Sequence, residues 1–179
     1  MKIEQPVVSI VIPSFNHEAY VGEAIKSALA QKGVMVELIV IDDGSSDDSP
    51  KLVDNLLERY GGSNCELLVQ KNKGAHAAIN RGIGRTHGEF IHILNSDDRL
   101  HPDRCARLIL SLGDKEQLAI SNVRIINAEG RTAPSGHPMR SWYRTAMKLF
   151  LAEPSIGFGL LSVNFAVTTS NFLFRRSLL

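Results

Sequence analysis

The sequence predicts an α/β fold, a mostly parallel sheet with helices on both faces, and three observations predict it. Short apolar runs, Val7–Ile12, Val36–Ile41 and Phe90–Leu94, lack the polar alternation of a strand with one wet face and read as strands buried on both sides. Between them, apolar residues recur at the i, i+3, i+4, i+7 spacing of amphipathic helices. Polar loops follow the strands, and right-handed crossovers carry those loops to one edge of the sheet, where such sheets bind ligands.

Each element has its own justification. Val7–Ile12 is rich in β-branched residues and ends at Pro13-Ser14-Phe15-Asn16. The helix after it carries Val21, Ala24, Ile25, Ala28 and Leu29 on one face, and Gly33 is expected to close it. Val36–Ile41 runs into Asp42-Asp43-Gly44-Ser45-Ser46-Asp47. Ser49 has the chemistry of an N-cap and Pro50 that of a first helical residue. Leu52, Val53, Leu56, Leu57 and Tyr60 then form an inner face, stopped by Gly61-Gly62.

Glu66–Gln70 reads as a short third strand. Asn72-Lys73-Gly74 leads into a helix with Ala75, Ala78, Ile79 and Ile83; Gly82 and Gly84 weaken it and point to close packing against a ligand or another backbone. Phe90–Leu94 is the central strand and ends in Asn95-Ser96-Asp97-Asp98. Pro102 is expected to open the next helix, with Cys105, Leu108, Ile109 and Leu112 inward and Gly113 at its end. Leu118–Ile126 reads as strand and Asn127–Arg131 as a turn.

The 179 residues are enough for one domain with a real core. The net charge of +1 gives no electrostatic case for nucleic acid. Cys65 and Cys105 stand far apart, in no metal or redox spacing, and read as reduced, largely buried thiols. No signal-peptide pattern appears and no apolar run is long enough to span a bilayer, so a cytoplasmic location is expected.

The loops after the first, second and central strands are expected to converge on one crevice, two of them with paired aspartates. Adjacent carboxylates at the end of a buried strand repel each other, and a divalent cation with oxygen ligands, Mg²⁺ or Mn²⁺, would relieve that cost. A turn introducing the next helix is the alternative role for Asp97 and Asp98. The first strand lacks a G-x-G-x-x-G turn, no P-loop lysine motif occurs, and Asp42–Asp54 fails as an EF-hand loop. No Ser-His-Asp or Cys-His arrangement can be argued, and His92 reads as a packed residue. There remain an aromatic platform at Phe15, acceptors at Asp42 and Asp43, and a metal-binding pair at Asp97 and Asp98.

Four blocks in order, VSIVIPSFNHEAYVGEAIKSAL, VELIVIDDGSSDDS, NKGAHAAINRGIG and GEFIHILNSDD, resemble a family 2 glycosyltransferase of GT-A (Rossmann-like) fold over about Val7 to Arg104. The resemblance implies a nucleotide-diphosphate-sugar donor, with a UDP-sugar as first choice. It also implies inverting transfer to a saccharide or lipid-linked acceptor hydroxyl, a Mn²⁺ or Mg²⁺ cofactor, and a role in polysaccharide or glycan synthesis. By the match, Pro13 and Phe15 line the base pocket, Asp43 accepts from the base, and Asn16, Asp42 and Ser96 are donor-binding residues beside them. Lys73 and Gly74 border the nucleotide, Asp97 sits by ribose and metal, and Asp98 ligates the metal. Residues 1–104 would be the nucleotide-binding half of a single domain over 1–179, and residues 105–179 the start of the acceptor-side half. The family's catalytic base follows a Thr-Ser-Asn-type segment, here Thr168–Arg176; no Asp or Glu occurs after Glu153, so the base is expected beyond Leu179 in a truncated chain. Two rivals stay open: a sugar-nucleotide-binding module without transfer activity, and a receiver-like regulatory domain.

Farther along, Arg140, Arg144 and Lys148 fall every four residues on one helix, with Trp142, Ala146, Leu149 and Phe150 as its apolar face and Glu153-Pro154 at its end. Peripheral contact with the inner face of a membrane, or with an anionic lipid-linked acceptor, is one reading of the basic stripe; an ordinary solvated face is the other. Phe158–Ala166 is ambiguous between helix and strand.

Overall fold

The computed structural model describes residues 5–114, 116–152 and 168–179. Six strands form one sheet: β1 (Val7–Ser14), β2 (Met35–Asp42), β3 (Cys65–Val69), β4 (Phe90–Ile93), β5 (Leu118–Ile120) and β6 (Phe172–Arg175). Their order across the sheet is β3-β2-β1-β4-β6-β5. The first four are mutually parallel, and β6 runs antiparallel to both neighbours. The helices are α1 (Val21–Leu29), α2 (Ser49–Tyr60), α3 (Ala75–Ile83), α4 (Arg104–Ser111) and α5 (Pro138–Ala152).

Alternate residues of the strands feed two layers of core. Val8, Ile10 and Ile12 of β1, with Leu38 and Val40 of β2, pack against Val21, Ala24, Ile25 and Ala28 of α1, Val53, Leu56 and Leu57 of α2, and Cys105 and Leu108 of α4. Val11, Ile91 and Ile93 face the other way, toward Ile79 and Ile83 of α3, and Ile39 and Ile41 meet Ala78. Gly82 explains how closely α3 sits on the sheet: a Cβ there would lie 2.3 Å from Val11 Cγ1. That close approach is to a strand side chain. At the opposite edge of the sheet, Glu37 accepts from the Ser9 hydroxyl and from the His87 amide at 2.8 Å, tying the start of β4 to β1 and β2.

His92 is fully buried in β4 and packs as expected. Its Nδ1–H donates to the Ile93 carbonyl at 2.9 Å, and its Nε2 accepts from Arg104 Nε at 3.2 Å, which defines the neutral tautomer. Burial, reinforced by the Arg104 charge, pulls its pKa down to about 3. Cys105 is buried as well, and burial pushes its thiol up to about 12.

Several boundaries differ from the sequence reading. Ser49 is not the N-cap: Asp48 holds that position, while Ser49 is helical, buried, and accepts from the His17 amide at 3.1 Å. α1 ends at Leu29, and Gly33 (φ 74°) belongs to the loop beyond it. Pro102 lies in a turn before α4, which starts at Arg104. β5 stops at Ile120 because its antiparallel pairing with β6 covers three residues only; Ile126 instead bridges Thr132 across the expected turn at Asn127–Arg131. Among the described side chains of α5, Tyr143 and Ala146 are buried, and Trp142 and Leu149 are exposed. The Glu153-Pro154 stop, the Phe158–Ala166 segment and the Phe150 side chain lie outside what is described.

The chain divides into two compact units, one running to Ile120 and including Phe172–Leu179, the other Ser121–Asn171. No described helix is long and apolar enough to cross a membrane.

Candidate functional site

The loops after β1, β2, β3 and β4 are joined to one another by hydrogen bonds, all within the first unit. Asn16, at φ 52°, donates its amide to Ser45 Oγ at 2.9 Å and accepts the Ser46 amide on Oδ1 at 2.8 Å. Glu18 N–H donates to Asp47 Oδ2 at 3.0 Å, and Asp47 Oδ1 accepts from Ser49 N at 3.0 Å, so Asp47, one residue before the N-cap, holds the first amide of α2 and ties it to the β1 loop. Burial raises the Asp47 pKa, but the bonds from Ser49 and the Glu18 amide outweigh it and hold the carboxyl below its ordinary value. His17 Nδ1 lies 2.6 Å from Ser96 Oγ and links the β1 loop to the β4 loop.

The two adjacent aspartates after β2 do different work. Asp42 is fully buried and turned back on its own loop, accepting the amides of Gly44 and Ser45 at 3.1 and 2.9 Å and the Ser45 hydroxyl at 2.6 Å. Asp43, 3% exposed, reaches across to the β3 loop. Its Oδ1 accepts from Gln70 Nε2 at 2.7 Å and Lys73 N at 2.9 Å, and its Oδ2 from Gly74 N at 2.8 Å. A carboxylate offers about four acceptor positions, so one on Oδ2 remains. Burial works to raise the Asp43 pKa; the bonds from Gln70, Lys73 and Gly74 and the nearby His76 overcome it and keep the carboxyl below its usual value.

Glycine is required at two points of this contact. Gly44, at φ 79°, would place a Cβ 2.9 Å from the Asn72 amide nitrogen, and Gly74 adopts φ 87° immediately before α3. Lys73 therefore enters through its backbone N–H, while its side chain is exposed.

Phe15 is 45% exposed and Pro13 half-buried at the end of β1. Between them, Ser14 Oγ is buried with no hydrogen-bond partner among the described residues. Ser96 is buried, its hydroxyl taken by His17. Asp97 is exposed and Asp98 half-buried, its amide donating to Asn95 O at 3.0 Å. Among the described residues no three His, Cys, Asp or Glu side chains cluster as a metal cage. A Mg²⁺ or Mn²⁺ ion that takes one or two carboxylates and completes its shell with water and substrate phosphates suits Asp97 and Asp98.

Residues 9–179 match the family described as glycosyl transferase family 2. The chain belongs to that family. It is 36% identical over 129 residues to the succinoglycan biosynthesis protein ExoO of Rhizobium meliloti, covering 71% of this chain and 36% of that one. It is 32% identical over 120 residues to the putative glycosyltransferase EpsH of Bacillus subtilis, covering 67% and 34%. The chain thus spans about a third of the length of these relatives.

Among solved structures, it resembles S. aureus TarS 1–349 in complex with UDP, with TM-score 0.66 and 20% identity over 96% of this chain and 47% of that one. It also resembles the mannosyltransferase PcManGT from Pyrobaculum calidifontis in complex with GDP-Man and Mn²⁺, with TM-score 0.62 and 22% identity over 69% and 37%. The fold of this family 2 glycosyltransferase is GT-A.

The parts that Ser45, Asp47, Ser49 and Gln70 play as hydrogen-bond partners between loops, and that of His17 above all, were not legible in the sequence. Ser and Asp after a strand signal a turn, but nothing in the string says which distant amide each will meet. His17 stands one residue beyond Asn16, and that adjacency was the signal available for it.

Proposed function

We propose that this chain is the donor-binding part of an inverting, metal-dependent glycosyltransferase that moves a sugar from a nucleotide-diphosphate sugar, first choice a UDP-sugar, to an acceptor hydroxyl in polysaccharide or glycan synthesis. One observation carries the reading: Asp43 anchors the Lys73-Gly74 backbone and keeps an acceptor position on Oδ2, in a set of joined loops that also holds exposed Phe15 and the Asp97-Asp98 pair. Phe15, beside Pro13 and Asn16, offers a face on which a base can stack, and Asp43 Oδ2 accepts an N–H from the base edge. Asp42 acts at one remove by holding the loop that presents Asp43.

Ser96 positions the β4 loop through His17, Asp97 is assigned to ribose and metal, and Asp98 would ligate the ion. A divalent ion bound there neutralises charge on the leaving diphosphate. The base that deprotonates the acceptor hydroxyl is assigned to none of the described residues. The solved neighbours, in complex with GDP-Man and Mn²⁺ in one case and with UDP or UDP-GlcNAc in others, support a nucleotide-sugar donor. The succinoglycan relative supports a polysaccharide setting.

Calorimetry with UDP tests the reading. Binding is expected to be weak in EDTA and at least about tenfold tighter with Mn²⁺, and Asp98→Ala is expected to remove the metal-dependent part. Unchanged metal-dependent binding in that variant would defeat the metal assignment. No binding of UDP or GDP by the wild-type chain under either condition would defeat the donor reading itself.

A further inference from the structure

The second unit, Ser121–Asn171, carries a charge that the chain's total of +1 conceals. Its described residues include Arg124, Arg131, Arg140, Arg144 and Lys148 against a single acid, Glu129. Glu129 is engaged with Arg131 at 3.5 Å. No ion pair holds Arg124, Arg140 or Arg144 among the described residues, and these three arginines line one pocket of about 290 Å³ together with Val123, Ile125, Thr132 and Tyr143.

The walls of this pocket are fixed. Tyr143 is buried, accepts the Val123 amide at 3.2 Å and donates to Asn122 Oδ1 at 3.3 Å. Arg140 is half-buried and anchored through Nη1 to the Ala133 carbonyl at 2.6 Å, which leaves its other N–H groups to a ligand. Arg144 stands one turn along α5, so two like charges face each other at i, i+4, an arrangement that costs stability unless an anion intervenes. Arg124 adds a third cation from outside the helix.

We propose that this arginine-lined pocket is a binding site for a phosphate- or diphosphate-bearing ligand, built from residues other than those assigned to the donor nucleotide. Planar guanidinium forks match phosphate oxygens bidentately. Three such forks with no acid among them suit the multiple charge of a diphosphate better than the single charge of a carboxylate. The volume accommodates a diphosphate with part of its substituent. The ligand's role as a phosphorylated acceptor rests on the glycosyltransferase reading; the binding itself does not.

The test uses inorganic pyrophosphate in EDTA, followed by calorimetry, with wild type and the exposed-site double variant Arg124→Gln/Arg144→Gln. Saturable binding is expected for wild type, weakened about tenfold or more in the variant. UDP with Mn²⁺, measured in parallel, is expected to bind the variant as it binds wild type. Pyrophosphate binding that depends on the arginines while UDP binding is absent would uphold the pocket and sink only the acceptor role. A second arm sediments the protein with phosphatidylcholine vesicles with or without phosphatidic acid. Arginine-dependent recruitment to the acidic vesicles would make the phosphate that of a lipid headgroup. Pyrophosphate binding without recruitment would make it a soluble or carrier-borne phosphate. No pyrophosphate binding and no recruitment, or binding and recruitment equal in wild type and variant, would overturn the proposal. Near-identical circular dichroism for the two proteins separates loss of the site from loss of the fold.

Discussion

Two pairs of adjacent aspartates stand at the ends of parallel strands in this chain, and the structure uses them in opposite ways. Asp42 and Asp43 after β2 are buried and hold six hydrogen bonds from neighbouring amides and side chains. Asp97 after β4 is exposed, and Asp98 beside it half-buried. The first pair holds the loops together, Asp42 wholly and Asp43 with all but one of its acceptor positions; the second stands on those loops. A carboxylate surrounded by N–H donors is already compensated for burial, whereas one at the surface keeps oxygens that a cation can take. The same two letters are therefore spent mainly on loop hydrogen bonds at one strand end, with one Asp43 acceptor position left over, and left toward the surface at the other, where we propose that they meet the metal.

That contrast can be broken by substitution. Asp42→Ala is expected to have the largest effect on stability, because it removes a fully buried carboxylate and strands the two amides and the hydroxyl of half-buried Gly44 and Ser45 that it holds. The loss is on the order of 3 kcal/mol, a fall in Tm of roughly 10 °C. Thermal denaturation checks it, and a shift no larger than that of Asp97→Ala would erase the distinction between the pairs.

Asp43→Asn comes next, at about 2 kcal/mol, since an amide offers one acceptor oxygen where three donors converge. Its pH dependence identifies the cause. The folded pKa of Asp43 is depressed, so its contribution is present above the ordinary aspartate value of about 4 and lost as pH falls through the folded one. In urea titrations, the stability gap between wild type and Asp43→Asn should narrow below about pH 4; a gap constant down to acid denaturation would assign the effect to packing instead.

His92 separates acid sensitivity of the first pair from that of the strand leading to the second. Its pKa falls from the ordinary 6.5 to about 3, so the unfolded chain takes up a proton that the folded chain refuses. Stability is full above pH 6.5 and declines toward pH 3, by on the order of 1 kcal/mol per pH unit. Replacing His92 by Gln is expected to flatten that slope between about pH 6 and 4, whatever it does to stability at neutral pH. The smallest effect belongs to Asp97→Ala, whose exposed carboxylate should leave Tm unchanged to within about 1–2 °C while weakening Mn²⁺-dependent UDP binding. A substantial loss of stability there would show that the second pair is structural too.

The sequence alone determined the parallel α/β architecture, the position of every strand in the β1–β4 series to within a residue or two, and the convergence of three loops. The reason is physical: β-branched apolar runs and three-to-four-residue periodicity are local patterns that persist whatever the partners, and crossover handedness supplies the rest. The family resemblance, too, was carried by contiguous blocks. Other features were decided only in three dimensions. Ser49 has an N-cap's chemistry, yet its hydroxyl serves the His17 amide. Leu118–Ile126 has the residues of a long strand, yet β6 pairs with three of them. Trp142 outranks Tyr143 in hydrophobicity, yet Tyr143, whose hydroxyl bonds Asn122 and the Val123 amide, is the one that is buried. Asp42 and Asp43 are adjacent and identical, and only the tertiary path of the Gln70–Gly74 loop sends donors to one and leaves the other to its own turn. Each of these outcomes depends on which distant amide or side chain arrives at a given point, and long-range pairing of that kind leaves no periodic trace in the chain.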